Sequence, residues 1–233
     1  MMNSLLSILF AFICTVNATA EVKVLVAGDS TVSNNGPESA KYGWGDFIGV
    51  HFKDGINVIN LAKSGRSSKS FITEGRWDDL IGRVEPGDVV FIQFGHNDQK
   101  ILVGSEIGTH PGGEYKDNLR RFADEVAAKQ GRTVFVTPPR RLTYKSNEPT
   151  VLRTDLQVYC DAMKEVAVEK NVPVVDLYAL TGVVLHELGE EKAWEFFDTG
   201  DRSHFSKTGA AWVAELIMST VRAEHMLPAE LLN

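Results

Sequence analysis

Ser30 is the residue with the clearest potential for chemistry, because the segment Gly28-Asp29-Ser30-Thr31 directly follows an apolar run. A serine at this point can cap a helix, since serine is favourable at helix N-termini. It can also belong to a phosphate-binding loop, or it can be a nucleophile. A nucleophilic serine needs a general base, a group that orients the base, and donors for an oxyanion. The rest of the chain has to supply those partners.

The phosphate-binding interpretation lacks its sequence pattern. The stretch AGDSTVSNNG at residues 27–36 fits neither G-x-G-x-x-G nor G-x-x-x-x-G-K-[ST], and no other stretch of the chain fits either pattern. The segment is also different from the usual G-x-S-x-G elbow of hydrolases, which would require glycine in place of Val32. Capping and nucleophilic catalysis remain the two interpretations of Ser30.

A general base and its orienting carboxylate are available near the end of the chain. Asp201 and His204 lie three residues apart, just before the last amphipathic segment. At this spacing on a helical turn both side chains project to the same side, so the carboxylate can accept a hydrogen bond from Nδ1–H of the imidazole. Nε2 of His204 can then take the proton of Ser30.

His96 is an alternative base, because it also follows an apolar run and has Asp98 close by. In an extended segment, residues two apart face the same way but hold the carboxylate poorly for a bond to the ring. We therefore favour His204 as the base and assign His96 to the wall of the substrate site.

Donors for an oxyanion are predicted from neighbouring segments. Asn97 offers a side-chain amide, Gly65 offers a backbone N–H without a Cβ in the way, and the N–H of Ser30 is the third donor. One correctly aimed donor of this kind contributes roughly 2.7–4 kcal/mol of transition-state stabilisation.

The elements that position these residues alternate between strand and helix along the chain. The predicted strands are apolar and rich in valine and isoleucine: Val22–Ala27, Asn57–Ala62, Asp88–Phe94, Thr133–Thr137 and Val172–Leu177. The predicted helices are amphipathic: Gly45–Phe52, Ser70–Arg83, Tyr115–Lys129, Leu152–Lys170, Val183–Phe197 and Lys207–His225. This alternation predicts an α/β fold, a three-layer sandwich around a five-stranded parallel sheet in the flavodoxin-like order 2-1-3-4-5.

That strand order predicts where the site lies. Ligands of open α/β sheets bind beyond the carboxyl ends of the strands, where the connections reverse direction. The ends of strands 2, 1 and 3 are followed by the polar, glycine-containing segments LAKSGRSS, AGDSTV and FGHNDQ. We therefore expect Gly65, Ser30 and Asn97 to lie side by side.

The first 20 residues predict export from the cytoplasm. They carry no charged side chain and contain an apolar run that is too short to span a bilayer, followed by Ala18-Thr19-Ala20. We interpret residues 1–20 as a signal peptide and residues 21–233 as a single catalytic domain. The expected location is the periplasm or the extracellular space, with no membrane association after cleavage.

The composition of residues 21–233 limits the possible partners. The formal net charge of −7 argues against nucleic acid as a partner, because nucleic-acid-binding domains are usually basic. Cys160 is the only cysteine in this range, so an intrachain disulfide is not possible. No zinc-binding pattern occurs, since HELGE at His186 lacks the second histidine of H-E-x-x-H. We predict neither a metal nor a cofactor.

The chain resembles the SGNH, or GDSL-type, hydrolases. It contains the four blocks of that family in order and spacing: Gly28-Asp29-Ser30, Gly65, Gly95-x-Asn97-Asp98 and Asp201-x-x-His204. The resemblance implies a flavodoxin-like α/β/α sandwich, as the alternation of elements does. It implies that Ser30 is the nucleophile, His204 the base and Asp201 its orienting group.

Finer details are similar to the rhamnogalacturonan acetylesterase branch of this family. Thr31 stands in place of the leucine that is common in lipase-like members. Further matching segments are GWGD at 43–46, GRSSKSF at 65–71, EGRW at 74–77 and IQFGHND at 92–98. The resemblance implies a secreted esterase that removes acetyl groups from pectin, with an acetylated polysaccharide as its partner.

Alternative functions remain open. Another SGNH esterase would act on acetylxylan, lipids or thioesters, although the mostly small and polar loop 104–113 disfavours lipids. A sugar-binding module without catalysis is a further alternative. Arg140 and Arg141 follow the stiff pair Pro138-Pro139 near the predicted site, and we expect them either to face solvent or to bind uronate carboxylates.

Overall fold

The computed structural model describes residues 21–34, 39–146 and 148–233. The predicted signal peptide, residues 1–20, lies outside the described residues. No helix in the described ranges is long and apolar enough to cross a membrane.

A five-stranded parallel sheet forms the centre of the molecule, which confirms the predicted fold class and strand order. The strands are β1 (Lys23–Gly28), β2 (Asn57–Asn60), β3 (Val89–Gln93), β4 (Arg132–Val136) and β7 (Val174–Val175). Their spatial order is β2-β1-β3-β4-β7. The first three strands are in register over most of their length, with Val24 opposite both Val58 and Val89.

Alternate residues of the strands face two separate hydrophobic layers, as the period of two in a strand requires. Val24 and Val26 of β1 pack into one layer, and Leu25 and Ala27 pack into the other. Both faces of the sheet are therefore buried, which accounts for the continuous runs of valine and isoleucine in the central strands.

Six α-helices in the described part of the chain cover the two faces of the sheet. They are α1 (Ser68–Thr73), α2 (Arg76–Gly82), α3 (Glu114–Ala128), α4 (Gln157–Lys170), α5 (Leu177–Ala193) and α6 (Lys207–Ala223). Buried side chains of the first four helices pack on the Leu25 side of the sheet. Helix α6 and most of α5 pack on the Val24 side, so the third layer of the sandwich comes from the last quarter of the chain.

Two predicted helices are interrupted in the structure. The predicted helix at Gly45–Phe52 is instead a pair of 3₁₀ turns, Trp44–Asp46 and Ile48–His51. The backbone passes very close to its neighbours here, since a Cβ on Gly45 would lie 2.6 Å from the carbonyl oxygen of Val32. The predicted helix Ser70–Arg83 divides into α1 and α2 because Gly75 adopts a φ of +71°.

The predicted helix Leu152–Lys170 begins later than its pattern indicated. Residues 148–152 form strand β6 (Glu148–Leu152), which pairs with β5 (Tyr144–Lys145) in a small antiparallel sheet. Leu152 contributes to the hydrophobic core from this strand rather than from a helix.

The last strand is also shorter than predicted, because the side chain of Asp176 accepts a hydrogen bond from Ala179 N–H and caps α5.

The carboxyl ends of β2, β1 and β3 lie at one edge of the sheet, since the strands are parallel and adjacent. The segments that follow them contain Gly65, Ser30 and Asn97. The fold thus gathers the predicted site residues at the edge where ligands of open α/β sheets bind.

Candidate active site

Ser30, His204 and Asp201 form a continuous chain of hydrogen bonds at this edge. Nε2 of His204 lies 2.8 Å from Oγ of Ser30, and Nδ1 of His204 lies 2.7 Å from Oδ2 of Asp201. A carboxylate oxygen only accepts, so Nδ1 carries the proton and Nε2 presents its lone pair to the serine hydroxyl. This is the arrangement in which an imidazole can remove the hydroxyl proton of a nucleophilic serine.

The turn after β1 presents Ser30. Two backbone N–H groups, those of Val32 and Ser33, donate to the carbonyl of Asp29 and close a tight turn. No helix begins at Ser30, so the structure does not support the capping interpretation. Ser30 is buried with 8% of its surface exposed, which leaves a narrow opening to its hydroxyl.

A buried hydrogen-bond network on the interior side of this turn holds it in place. Asp29 Oδ1 accepts from both N–H and Oγ1–H of Thr31. The amide of Gln93 donates to Thr31 Oγ1 at 2.6 Å, and Nε1–H of Trp44 donates to Gln93 Oε1 at 2.8 Å. All four side chains are almost fully buried. The sequence analysis placed Trp44 and Gln93 in family-like segments but gave them no role, because the contacts that link them to Thr31 exist only after the chain has folded.

Asp201 has both carboxylate oxygens occupied. Oδ1 accepts from the backbone N–H groups of Ser203 and His204, while Oδ2 accepts from His204 Nδ1 and from the ammonium of Lys41. Burial alone would raise the pKa of Asp201, but the hydrogen bond from Lys41 and those from its own loop hold the pKa well below the usual range. The carboxylate is therefore charged throughout the neutral and mildly acidic range.

Helix α6 positions His204 from the following side. Oγ of Ser206 accepts from Gly209 N–H and caps the helix. Phe205 is fully buried and forms antiparallel bridges with Tyr42 and Phe197. His204 thus lies between the buried Phe205 and the loop of Asp201. Hydrogen bonds at both ring nitrogens hold its imidazole in this orientation.

A hydrogen bond joins the segments of two of the predicted oxyanion donors. One amide hydrogen of Asn97 is donated to the carbonyl of Arg66 at 3.0 Å, which ties Asn97 to the segment that contains Gly65. The second amide hydrogen is then available for an oxyanion. Gly65 has a φ of +80°, a conformation that glycine adopts at little cost, and it is next to Arg66 in the chain.

Asp98 joins the same two segments from inside the protein. Its carboxylate accepts from the N–H and the hydroxyl of Ser68 and from the hydroxyl of Thr109. Burial raises the pKa of Asp98 to about 6, with these hydrogen bonds acting in the opposite direction. Asp98 therefore holds the loop of Asn97 against the start of α1 and does not orient His96.

His96 is buried beside the triad but does not contact Ser30. Its Nε2 donates to the carbonyl of Pro139 at 3.1 Å, and its Nδ1 faces Oδ2 of Asp29 at 3.6 Å. Burial lowers the pKa of His96, although the carboxylate of Asp29 opposes the shift. His96 is held in the wall behind the serine, which disfavours it as the alternative base.

The two arginines of the predicted uronate clamp point in different directions. Arg140 stacks over the ring of Tyr178 at 4.1 Å and donates to the carbonyl of Arg153, so its guanidinium is used within the protein. This placement does not fit its predicted role, because the side chain packs against α5. Arg141 donates to the carbonyl of His96 and pairs with Asp155, so it lies close to the site.

The described residues contain no group of three or more histidine, cysteine, aspartate or glutamate side chains arranged to hold a metal ion. The reactive groups of the site are instead the hydroxyl, the imidazole and the carboxylate. Together with a parallel sheet that carries them at its carboxyl edge, they define a serine hydrolase of the α/β/α class.

The comparison with known families agrees with this class and identifies the family within it. The GDSL-like lipase/acylhydrolase family matches residues 26–212, which is most of the chain. The protein belongs to this family, whose SGNH blocks it carries, and it is a carboxylic ester hydrolase.

Two curated relatives come from Bacillus subtilis. The rhamnogalacturonan acetylesterase RhgT is 38% identical over 210 residues, which cover 84% of this chain and 88% of RhgT. The probable rhamnogalacturonan acetylesterase YesY is 36% identical over 203 residues, with coverages of 85% and 92%.

Solved structures share the fold. The structure of YxiM from Bacillus subtilis matches with a TM-score of 0.78 at 24% identity, covering 88% of this chain and 57% of YxiM. A variant of the acetyl xylan esterase Axe2 from Geobacillus stearothermophilus matches with a TM-score of 0.66 at 22% identity, with coverages of 86% and 94%.

Proposed function

We propose that this protein is a secreted carbohydrate esterase that removes acetyl groups from rhamnogalacturonan through an acetyl-enzyme intermediate. The observation that carries the proposal is the pair of short hydrogen bonds from Ser30 to His204 and from His204 to Asp201. The roles of these residues follow from that geometry and from the chemistry of each group.

In the first half of the reaction, Oγ of Ser30 attacks the acetyl carbonyl while Nε2 of His204 takes the hydroxyl proton. Negative charge moves to the carbonyl oxygen, where N–H of Ser30, N–H of Gly65 and the amide of Asn97 stabilise it. The intermediate then collapses and the bond between the acetyl carbon and the sugar oxygen breaks. His204 returns the proton to that oxygen, which leaves as a hydroxyl group. Ser30 is left as an acetyl ester.

In the second half, water replaces the sugar. His204 takes a proton from the water as its oxygen attacks the acetyl carbon, and the same donors stabilise the second oxyanion. Collapse releases acetic acid and returns the proton to Ser30. Because His204 must be neutral at the start of each half, activity is expected to fall as it becomes protonated on the acid side.

The proposed substrate is supported by the relatives rather than by a bound ligand. Over most of both chains, a relative at 38% identity is named a rhamnogalacturonan acetylesterase, and one at 36% identity is named a probable rhamnogalacturonan acetylesterase. Export is supported by the sequence of residues 1–20, which has the apolar run and small-residue site of a signal peptide. A secreted enzyme can meet an acetylated polysaccharide in the periplasm or outside the cell, without nucleic acid or membrane partners.

Arg141 is the revised candidate for a contact with the uronate units of this polymer. Its side chain is 17% exposed, one guanidinium nitrogen lies 3.5 Å from the carbonyl oxygen of His96, and its ion pair with Asp155 at 3.0 Å holds it in place. Arginine suits a carboxylate because its planar group donates two parallel hydrogen bonds. Arg140 is not part of this revised proposal.

The decisive experiment measures acetate release from acetylated rhamnogalacturonan and from acetylated xylan. We expect wild type to prefer rhamnogalacturonan, and we expect Ser30→Ala and His204→Ala to lose activity on both polymers by about 1,000-fold or more, by analogy with other triads. His96→Ala should retain much more activity than His204→Ala. Wild-type rates in Ser30→Ala would show a binding module, and a wide preference for xylan would assign the chain to the alternative esterase.

Arg141→Ala tests the contact with the polymer. We expect a several-fold higher KM for acetylated rhamnogalacturonan with little change for a small aryl acetate, since the small ester has no carboxylate to bind. Arg140→Ala is the matched control and should leave the ratio of the two activities unchanged. An equal loss of activity on both substrates in Arg141→Ala would indicate that Arg141 only supports the loop of His96.

A further inference from the structure

Lys41 occupies a position from which it can act on the proposed triad. Its Nζ lies 2.6 Å from Oδ2 of Asp201, the same oxygen that accepts the proton of His204 Nδ1 at 2.7 Å. The lysine side chain is 43% exposed, and that of Asp201 is 22% exposed. A cation therefore borders the same carboxylate oxygen that the imidazole contacts.

The backbone holds Lys41 in this place. The next residue, Tyr42, donates its N–H to the carbonyl of Phe205 at 3.1 Å and forms an antiparallel bridge with it. Phe205 directly follows His204, so the bridge joins the segment of Lys41 to the segment of the proposed base. The contact between Lys41 and Asp201 is thus part of a paired backbone arrangement, unlike an isolated surface ion pair.

The contact has a geometric effect on the carboxylate. Oδ1 of Asp201 already accepts two backbone N–H groups, and Oδ2 accepts one hydrogen from His204 and one from Lys41. Four donors in these directions fix the plane of the carboxylate, and the plane sets the direction of the imidazole. Charge-assisted hydrogen bonds of this kind are stronger than neutral ones.

The contact also has an electrostatic effect. A carboxylate stabilises the protonated form of a neighbouring imidazole, and a cation on the same carboxylate opposes part of that stabilisation. The hydrogen bond to Asp201 raises the pKa of Lys41, so the ammonium stays charged throughout the range in which histidine titrates.

We propose that Lys41 is a positioning residue of the hydrolase, which fixes the plane of the Asp201 carboxylate and offsets part of the negative charge beside His204. The inference rests on the triad of the proposed function. It extends that function by assigning a fourth residue, one that acts on the base through the carboxylate and does not touch the substrate.

Other charged groups around the base are present in both wild type and Lys41→Met. They come from the segments packed around His204: His96 and Asp29 behind the serine, Arg141 beside His96, and Asp198 and Arg202 in the loop of Asp201. Asp198 N–H donates to the carbonyl of His204, and Arg202 is paired with Glu190. A shift in Lys41→Met therefore reports on the removed ammonium.

The test measures kcat/KM against pH with a small aryl acetate, which separates the triad from the identity of the sugar. We expect Lys41→Met to move the acid limb to higher pH by up to about one unit, at or below the lower end of the range for an adjacent charge, because the pair is partly exposed and acts on His204 through Asp201. We also expect kcat at the plateau to fall several-fold as Asp201 loses one of its four donors. Salt should reduce the pH difference, since it screens exposed charges.

Two variants serve as controls. Lys41→Arg keeps the positive charge and should restore the acid limb to its wild-type position. Lys170→Met removes the same charge from an exposed pair with Asp124, at the end of α4, and should leave the pH profile unchanged. Thermal unfolding of each variant shows whether the fold is intact.

A second measurement covers the case in which Lys41→Met has too little activity for a profile. The imidazole signals of wild type and Lys41→Met are titrated by NMR, with His204→Gln identifying the signal of His204. A signal that titrates at higher pH in Lys41→Met supports the proposal. If Ser30→Ala is inactive, an unchanged His204 titration together with an unchanged acid limb would overturn the role of Lys41. If Ser30→Ala is active, the triad of the proposed function is itself overturned.

Discussion

Thr31 shows how a single residue beside the nucleophile can determine its position. Its hydroxyl donates to Asp29 and accepts from the amide of Gln93, so it links the turn of Ser30 to the next strand of the sheet. Trp44 completes the network through Gln93. The sequence presented Thr31 only as a family signature, whereas the structure gives it a physical role as a buried donor and acceptor.

Replacing Thr31 by valine is expected to destabilise the protein. Valine has the same shape but no hydroxyl, so the amide of Gln93 and one lone pair of Asp29 lose their partner in a buried site. A buried polar group without a partner costs about 1–3 kcal/mol. Denaturation by urea measures the change, and Thr31→Ser is the control because it keeps the hydroxyl. Equal stability of Thr31→Val and wild type would contradict this role.

Asp201 makes a prediction about acid stability. Its folded pKa is depressed below the ordinary value of 3.8, so its charge contributes stability that is fully present above about pH 4. That contribution is lost as the pH falls toward the folded pKa. We expect the difference in thermal midpoint between wild type and Asp201→Asn to be largest at neutral pH and to narrow below about pH 4. An equal difference in thermal midpoint above and below about pH 4 would contradict a lowered pKa of Asp201 in the folded protein.

At the scale of elements, helix α6 connects packing to the proposed chemistry. Gly209 lies in its first turn, five residues after His204, and a Cβ at this position would lie 1.8 Å from the carbonyl oxygen of Phe196. The helix can approach this close only because glycine has no side chain. Its start, and the loop of His204 that precedes it, therefore depend on that one residue.

Gly209→Ala is expected to destabilise the protein by roughly 1–3 kcal/mol, the usual range for overpacking, and to lower kcat by moving His204. Gly82→Ala is the matched control, because Gly82 ends α2 and a Cβ there would meet no packed neighbour within 4 Å in the described part of the chain. Alanine is the better helix former, so this control should be neutral or slightly stabilising. Urea denaturation and aryl acetate hydrolysis measure the two effects, and a neutral Gly209→Ala would contradict the packing argument.

The sequence predicted most of the sheet, because the central strands β1, β3 and β4 are almost fully buried and consist largely of valine, leucine, isoleucine and phenylalanine. Five strands and their order are confirmed. The errors lie where tertiary contacts decide the local structure. The 3₁₀ turns near Gly45 follow from close backbone packing, and β6 forms by pairing with β5, which no periodicity within residues 148–152 indicates.

The same distinction between local pattern and tertiary contact separates the site residues that were predicted from those that were not. Ser30, His204 and Asp201 were recognisable because each carries reactive chemistry in a short motif, and the structure brings them into hydrogen-bond contact. Lys41 lies outside these motifs, and Gln93, although it lies inside IQFGHND, has no reactive group; both act only through partners that are distant in sequence. The stacking of Arg140 on Tyr178 was not predictable for the related reason that Tyr178 is far away in sequence.

At the scale of the whole molecule, stability must come from the two hydrophobic layers on the faces of the sheet. Cys160 is the only cysteine among residues 21–233, so no disulfide within this range contributes. Its side chain is fully buried in the layer on the Leu25 side of the sheet. The thiol is accordingly a probe of that layer rather than a reactive group.

Cys160 is expected to be unreactive toward iodoacetamide until the whole domain unfolds. Burial raises the pKa of the thiol, so the native protein holds very little thiolate, and the core excludes the reagent. Labelling across a urea series, with the modified peptide identified by mass, should follow the unfolding transition measured by circular dichroism. Cys160→Ala is the control for labelling elsewhere. Modification in native buffer at the rate of a free thiol would mean that the layer around α4 opens locally, independently of the rest of the fold.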